Sequence, residues 1–184
     1  MTDRVRGVRL EPLDERWLND VAALVADSEV LRFTRIPEPP PPGFEQRWIQ
    51  SYATGREDGT RAGFAATNGD GRFLGLGLAP DIDREASEME LGYIVAREAR
   101  GRGAGTAILS LLTRWALDDM RAQRLYLVID VDNHASRRIA ERCGYQREGV
   151  MRSIHLKQGR RADAELWSRL PTDPSTSNRL LIDD

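Results

Sequence analysis

Met89-Glu90-Leu91-Gly92-Tyr93-Ile94-Val95 leads within a few residues into Arg100-Gly101-Arg102-Gly103-Ala104-Gly105-Thr106, and at once into Ala107-Ile108-Leu109-Ser110-Leu111-Leu112. The first stretch reads as a strand, the second as a glycine-rich turn, and the third has the apolar spacing of a helix. A strand turning through glycines into a helix N-terminus makes an anion site. The first-turn N–H groups have no partners, the helix dipole adds partial positive charge, and glycine lets a ligand approach the main chain. Arg100 and Arg102 within the turn point to a phosphate-bearing ligand. The spacing is not Gly-x-Gly-x-x-Gly and the preceding strands read as hairpins, which excludes a dinucleotide fold. No lysine follows the glycines, which excludes a P-loop.

Upstream, Arg61–Thr67 and Arg72–Leu78 are two strands joined by the hairpin signal Asn68-Gly69-Asp70-Gly71. Gly75 and Gly77 alternate in the second, where another backbone or a ligand must pack closely. Val8–Leu13 is a short edge strand. Asp14 caps a helix carrying Trp17, Leu18, Val21, Leu24 and Val25. Pro37–Pro42 cannot be helical, and a second helix follows with Phe44, Trp48, Ile49 and Tyr52 on one face. These aromatics read as core packing, with a substrate-channel wall as the alternative.

Downstream, the helix runs from Thr106 to about Met120, and Leu125–Ile129 is an apolar strand expected to be covered on both faces. Asp132-Asn133 opens a helix that closes at Cys143-Gly144. Tyr145–Gly149 and Met151–Leu156 continue as sheet, Gln158-Gly159 is a turn, and Ala164–Leu170 is the last strand, so two strands follow this helix. The result is one mixed α/β domain over residues 1–172, with a polar tail over 173–184.

A formal charge of −2 argues against a general nucleic-acid binder. Lys157 is the only lysine, so Schiff-base chemistry has a single candidate. One cysteine, Cys143, forms no internal disulfide, and two histidines assemble no zinc site, so no metal is expected. The N-terminal residues carry no apolar leader, and no run approaches the roughly 18 apolar residues of a membrane span. These features predict a cytoplasmic protein.

The chain resembles the GCN5-related N-acetyltransferase (GNAT) superfamily, in the branch of the ribosomal-protein N-terminal acetyltransferases RimJ and RimL. Its acetyl-CoA fingerprint, Arg/Gln-x-x-Gly-x-Gly/Ala, is matched by Arg100–Gly105, supported by Gly92-Tyr93, Asn133-His134-Ala135-Ser136, Gly144-Tyr145 and Glu148-Gly149. Arg9–Leu13 and Gly159…Asp163…Trp167-Ser168-Arg169-Leu170 resemble the same branch, so the likeness covers roughly residues 8–172. It implies a mostly antiparallel sheet with helices on both faces, and a V-shaped gap between the motif strand and the Leu125–Ile129 strand. The pantetheine arm of acetyl-CoA would pair with main-chain groups of Ile94, Val95 and Ala96. The pyrophosphate would sit on the N–H groups of Arg102, Gly103, Ala104, Gly105 and Thr106, with charge from Arg100 and Arg102.

Many family members use a tyrosine acid seven positions after the motif asparagine; here that position is Ala140. The RimL-like branch has a serine three positions after it, which is Ser136, placed to donate to the CoA sulfur; otherwise it serves only the first helical turn. Asn133 resembles the residue that bonds the pantetheine portion and also suits a helix cap. Glu90 resembles the base of several members. His155, on a late strand, has an ordinary pKa suited to the same task. A water chain is the third route. The resemblance implies direct transfer to a primary amine in a ternary complex and admits a homodimer. A protein or peptide N-terminus, a small amine (amino sugar, polyamine or amino-acid derivative) and a non-catalytic acyl-CoA sensor remain the three readings.

Overall fold

A computed structural model describes residues 7–157 and 159–174. Its strands and helices are β1 (Arg9–Pro12), α1 (Leu18–Val25), α2 (Ser28–Phe33), α3 (Phe44–Asp58), β2 (Ala62–Thr67), β3 (Phe73–Asp83), β4 (Glu88–Val95), α4 (Ala104–Arg114), β5 (Arg124–Asp130), α5 (His134–Arg142), β6 (Gln146–Lys157) and β7 (Arg160–Arg169). One seven-stranded sheet has the order β1-β2-β3-β4-β5-β7-β6, antiparallel throughout except for β4 beside β5. Gln158 and the tail from 175 onward lie outside the described residues. Among the described residues no helix is long and apolar enough to cross a membrane.

Local chemistry accounts for most boundaries. The Asn68 side chain accepts from the N–H groups of Asp70 and Arg72, closing the β2–β3 hairpin. Asp14 accepts from Arg16 N–H and starts a short 3₁₀ turn ahead of α1. Asn133 accepts from Ser136 N–H to cap α5, and Gly144, at φ +79°, ends it. The helix after the glycine loop begins earlier than expected, at Ala104, and its last turn widens into a π-helix over Trp115–Asp119.

Two cores flank the sheet. On one face α4 and α5 bring Leu109, Leu112, Ala116, Ala140 and Cys143 against Met89, Leu91, Leu125, Leu127, Ile129 and Trp167. On the other, α1–α3 bring Leu24, Val25, Ile49 and Tyr52 against Leu76, Leu78 and Ile94. Tyr52 and Ile49 are thus core residues, as the aromatic spacing suggested. Gly77 faces the side chains of Ile108 and Leu112, and a Cβ at Gly75 would strike the Ile94 carbonyl, so the paired glycines serve a helix and a neighbouring strand.

Three expectations change. A third helix, α2, precedes the prolines, capped by Asp27. β3 runs on through Pro80, because a bulge places three steps of β3 against two of β4 between Leu78 and Asp81. And β5 is not covered on both faces. Leu125, Leu127 and Ile129 are buried, but Arg124, Tyr126, Val128 and Asp130 are only half-buried, because the α1–α3 core stops at β4.

Candidate active site

β4 and β5 are paired only at Glu88–Arg124, Met89–Leu125 and Glu90–Tyr126. Beyond Glu90 the strands part, and the glycine loop stands at the open end. The antiparallel ladder with β3 decides which β4 groups face the gap. Ala96 N–H donates to Leu74 O at 2.9 Å, and bonded pairs alternate with unbonded ones, so Ile94 also turns its polar groups to β3. The N–H and C=O groups of Tyr93 and Val95 point into the gap. Of the expected main-chain set Ile94, Val95 and Ala96, only Val95 faces the gap, and Tyr93 faces it beside Val95.

After a 3₁₀ turn over Arg97–Ala99, Gly101 and Gly103 take left-handed φ values of +71° and +85° and deliver the chain into α4. No side chain caps α4, and its first amide with a carbonyl partner one turn back is Ala107, which donates to Gly103 O. The N–H groups of Ala104, Gly105 and Thr106 are left for an anion. Gly105 has a packing role. A Cβ there would lie 2.8 Å from Ile139 and 3.3 Å from Tyr93 and Val95, so α4 could not sit this close to β4 and α5. Arg102 is exposed at the loop tip. Arg100 is not turned toward it. Its Nη2 pairs with Asp27 at 2.9 Å, its Nη1 with Glu29 at 2.6 Å, and its Nε donates to Val95 O at 3.2 Å. The phosphate charge expected of Arg100 is thus neutralised within the protein.

Across the gap, Ser136 Oγ lies 2.8 Å from Tyr93 Oη. The cap of α5 uses the Ser136 N–H, so its hydroxyl is not consumed by the first helical turn. Burial pushes the Tyr93 phenol well above its ordinary pKa, against the smaller opposing effect of the Ser136 bond, so Tyr93 stays protonated. The sequence marked Tyr93 only as part of a fingerprint. Strand alternation was the available signal, since it puts Tyr93 on the α5 side of β4.

Glu90 lies on the opposite face of β4. Register places it beside Asp81 on β3 and Tyr126 on β5, and the Asp130–Ala164 and Ala162–His155 pairs bring His155 to the same face. Glu90 is buried and ion-paired with the exposed Arg35, from the segment after α2. Burial raises the Glu90 pKa, and the Arg35 charge partly offsets this. Burial lowers the His155 pKa, and Arg35 and Lys157 lower it further against Asp130, so the neutral imidazole is favoured. Tyr126 is pushed up to about 12 by burial, with the Glu90, Asp81 and Glu88 charges adding to it. Ser136 and the pair Glu90 and His155 therefore approach the gap from opposite faces. Arg35, Tyr126, Asp81 and Asp130 complete the second side; sequence reasoning missed them because only sheet register and α2 bring them together.

A family model described as an acetyltransferase (GNAT) domain matches residues 8–146. The chain is a member of the GNAT acetyltransferases. Within that family it is 29% identical over 123 residues to the putative ribosomal N-acetyltransferase YdaF of Bacillus subtilis, a match covering 67% of this chain and 64% of that protein. Matches to the uncharacterized N-acetyltransferases YoaA of Bacillus subtilis and p20 of Bacillus licheniformis cover 45% and 50% of those proteins, so the chain spans about half to two-thirds of the curated relatives it matches. Among solved structures, the GNAT fold superposes on RimL, a ribosomal L7/L12 α-N-protein acetyltransferase in complex with coenzyme A. The TM-score is 0.82 at 18% identity, covering 90% of this chain and 94% of that one. It superposes equally on the spermidine N-acetyltransferase of Vibrio cholerae in complex with CoA and spermine, with TM-score 0.81 at 18% identity and 91% and 97% coverage. These likenesses show the fold.

Proposed function

We propose that this GNAT protein transfers the acetyl group of acetyl-CoA to a primary amine by direct attack in a ternary complex. The observation that carries the reading is the convergence on β4. An uncapped helix N-terminus and the Tyr93–Ser136 pair lie on one face, Glu90 and His155 on the other, and the β4–β5 gap joins the two. The residues suit the donor. Main-chain N–H groups of Arg102 through Thr106 would hold its phosphates, Tyr93 and Val95 would pair with its pantetheine arm like an added strand, and the side-chain amide of Asn133 retains its N–H donors for the same arm. Bound acetyl-CoA supplies the activated acyl group.

The protein's part is proton management. Ser136 Oγ, held by Tyr93, donates a hydrogen bond to the leaving sulfur, and the thiolate takes up the second proton that the amine nitrogen releases as the amide forms. Glu90, paired with Arg35 through Oε1, offers Oε2 to the incoming ammonium group. His155, kept neutral, takes the proton the amine must lose. These roles separate kinetically. His155→Gln is expected to lower kcat by about a hundredfold with a small change in acceptor KM. Glu90→Gln is expected to raise acceptor KM by about tenfold with a smaller change in kcat. The opposite split would exchange the two assignments.

Arg35 gives a pH signature. Its cation favours ionised Glu90 and neutral His155, so Arg35→Gln raises both pKa values. The acid limb of kcat/KM moves to higher pH whichever group sets it. An unmoved limb removes both groups from the acceptor site.

The acceptor we infer is a protein or peptide N-terminus. In support, the Tyr126–Val128–Asp130 face of β5 lies outside the α1–α3 core and is half-exposed, as a floor open to main chain would be. Tyr52 is packed into that core instead of lining an enclosed pocket. Comparing N-terminal peptides with a polyamine and an amino sugar as acceptors tests this; a preference for either small amine by kcat/KM overturns it.

A further inference from the structure

The glycine loop is tied to a part of the fold distant in sequence. Asp27, 6% exposed at the corner between α1 and α2, uses one carboxylate oxygen to cap α2 through Glu29 N–H at 2.9 Å. The other oxygen takes Arg100 Nη2 at 2.9 Å and Arg97 Nε at 3.3 Å. Arg97 and Arg100 bracket the turn between β4 and the loop, and Arg100 also holds Glu29 and the Val95 carbonyl. The loop beyond has two left-handed residues, Gly101 and Gly103, and is held by Arg100 at one end and by the Gly103 carbonyl and the buried Ala104 at the other. A segment with so much glycine loses more entropy on ordering than any other, so its aim depends on those anchors.

We propose that Asp27 is a positioning residue for the phosphates of the donor, acting through Arg100 and Arg97 to keep the N–H groups of the loop aimed outward. This rests on the reading of the loop as the CoA site. Simple electrostatics makes the reverse forecast. Removing Asp27 charge releases two guanidinium groups beside an anion site and would tighten CoA binding. Positioning predicts weaker binding in spite of the added free positive charge, because the loop N–H groups must then be ordered by the ligand.

Asp27→Asn keeps a side chain able to cap α2. Titration calorimetry with CoA, adenosine 3′,5′-bisphosphate and pantetheine then reads where the loss falls. The expected result is a rise of about tenfold in Kd for CoA and for the bisphosphate, with pantetheine unaffected. Glu29→Gln, at the exposed end of the same clamp, should act in the same direction by about threefold and keeps the test open if the first variant does not fold. Equal or tighter CoA binding by both variants, or an equal loss for pantetheine, overturns the positioning role. A wild-type protein that binds neither CoA nor the bisphosphate overturns the donor-site reading itself.

Discussion

Gly103→Glu is expected to weaken CoA binding by about a hundredfold while the protein stays folded. Gly103 sits at φ +85° and ψ 0° as the N-cap of α4. An L-residue in the left-handed region costs about 1–2 kcal/mol, which a core of this size absorbs but a binding site feels as lost alignment. The larger effect is electrostatic. A carboxylate at this position can accept from the free first-turn N–H groups and so occupy the place of the phosphate, removing an attraction of up to about 2 kcal/mol. It also repels the phosphate directly, by roughly 1–4 kcal/mol at about 4 Å between surface and water-like dielectric. Together these reach the nearly 3 kcal/mol that a hundredfold requires. Gly103→Ala separates the contributions, since it keeps the backbone strain without the charge and should cost no more than about tenfold. Calorimetric Kd values beside circular dichroism spectra check both; Gly103→Glu binding CoA like the wild type would remove the phosphate from this loop.

Ser136→Ala should lower kcat by roughly a hundred- to a thousandfold with the KM for acetyl-CoA little changed. The variant leaves the cap of α5 intact. Asn133 caps α5 through the main-chain N–H of residue 136, which alanine retains, so the helix loses nothing. What disappears is the hydroxyl 2.8 Å from Tyr93 Oη, the one donor the sequence placed near the sulfur. Tyr93→Phe should cost less, about three- to tenfold in kcat, because it loosens Ser136 without deleting it. The double variant should be no slower than Ser136→Ala alone, since both act through one hydroxyl. Stopped-flow measurement of the acyl-transfer step reads this without interference from product release. Full additivity would mean that Tyr93 acts elsewhere.

The parts of the site that were legible are those written in short stretches of chain. Glycines flanked by a strand and an apolar helix pattern specify the β4–α4 turn, and Asn133 with Ser136 three residues on specifies the cap of α5, because both are set by contacts a few residues apart. The direction of Arg100 was not legible. Its partner Asp27 is 73 residues away, capping a helix of six residues too short to show a helical period. Sequence separation likewise hid the Tyr93–Ser136 pair, 43 residues apart. β5 misled for another reason: Leu125-Tyr126-Leu127-Val128-Ile129 is apolar enough for a fully buried strand, yet α1–α3 cover only the β1–β4 side. The half-buried face left over is the proposed acceptor floor, so the departure from the simple strand rule falls at the proposed site.

The three roles assigned to the chain meet in one assay. Incubation with acetyl-CoA and a panel of amines, with free thiol and acetylated product followed together, should give acceptor-dependent thiol release matched one to one by N-acetylated amine, with kcat falling in Ser136→Ala. Tight CoA binding with no acylated product from any peptide, polyamine or amino sugar would contradict it, and would leave the domain a sensor of acyl-CoA.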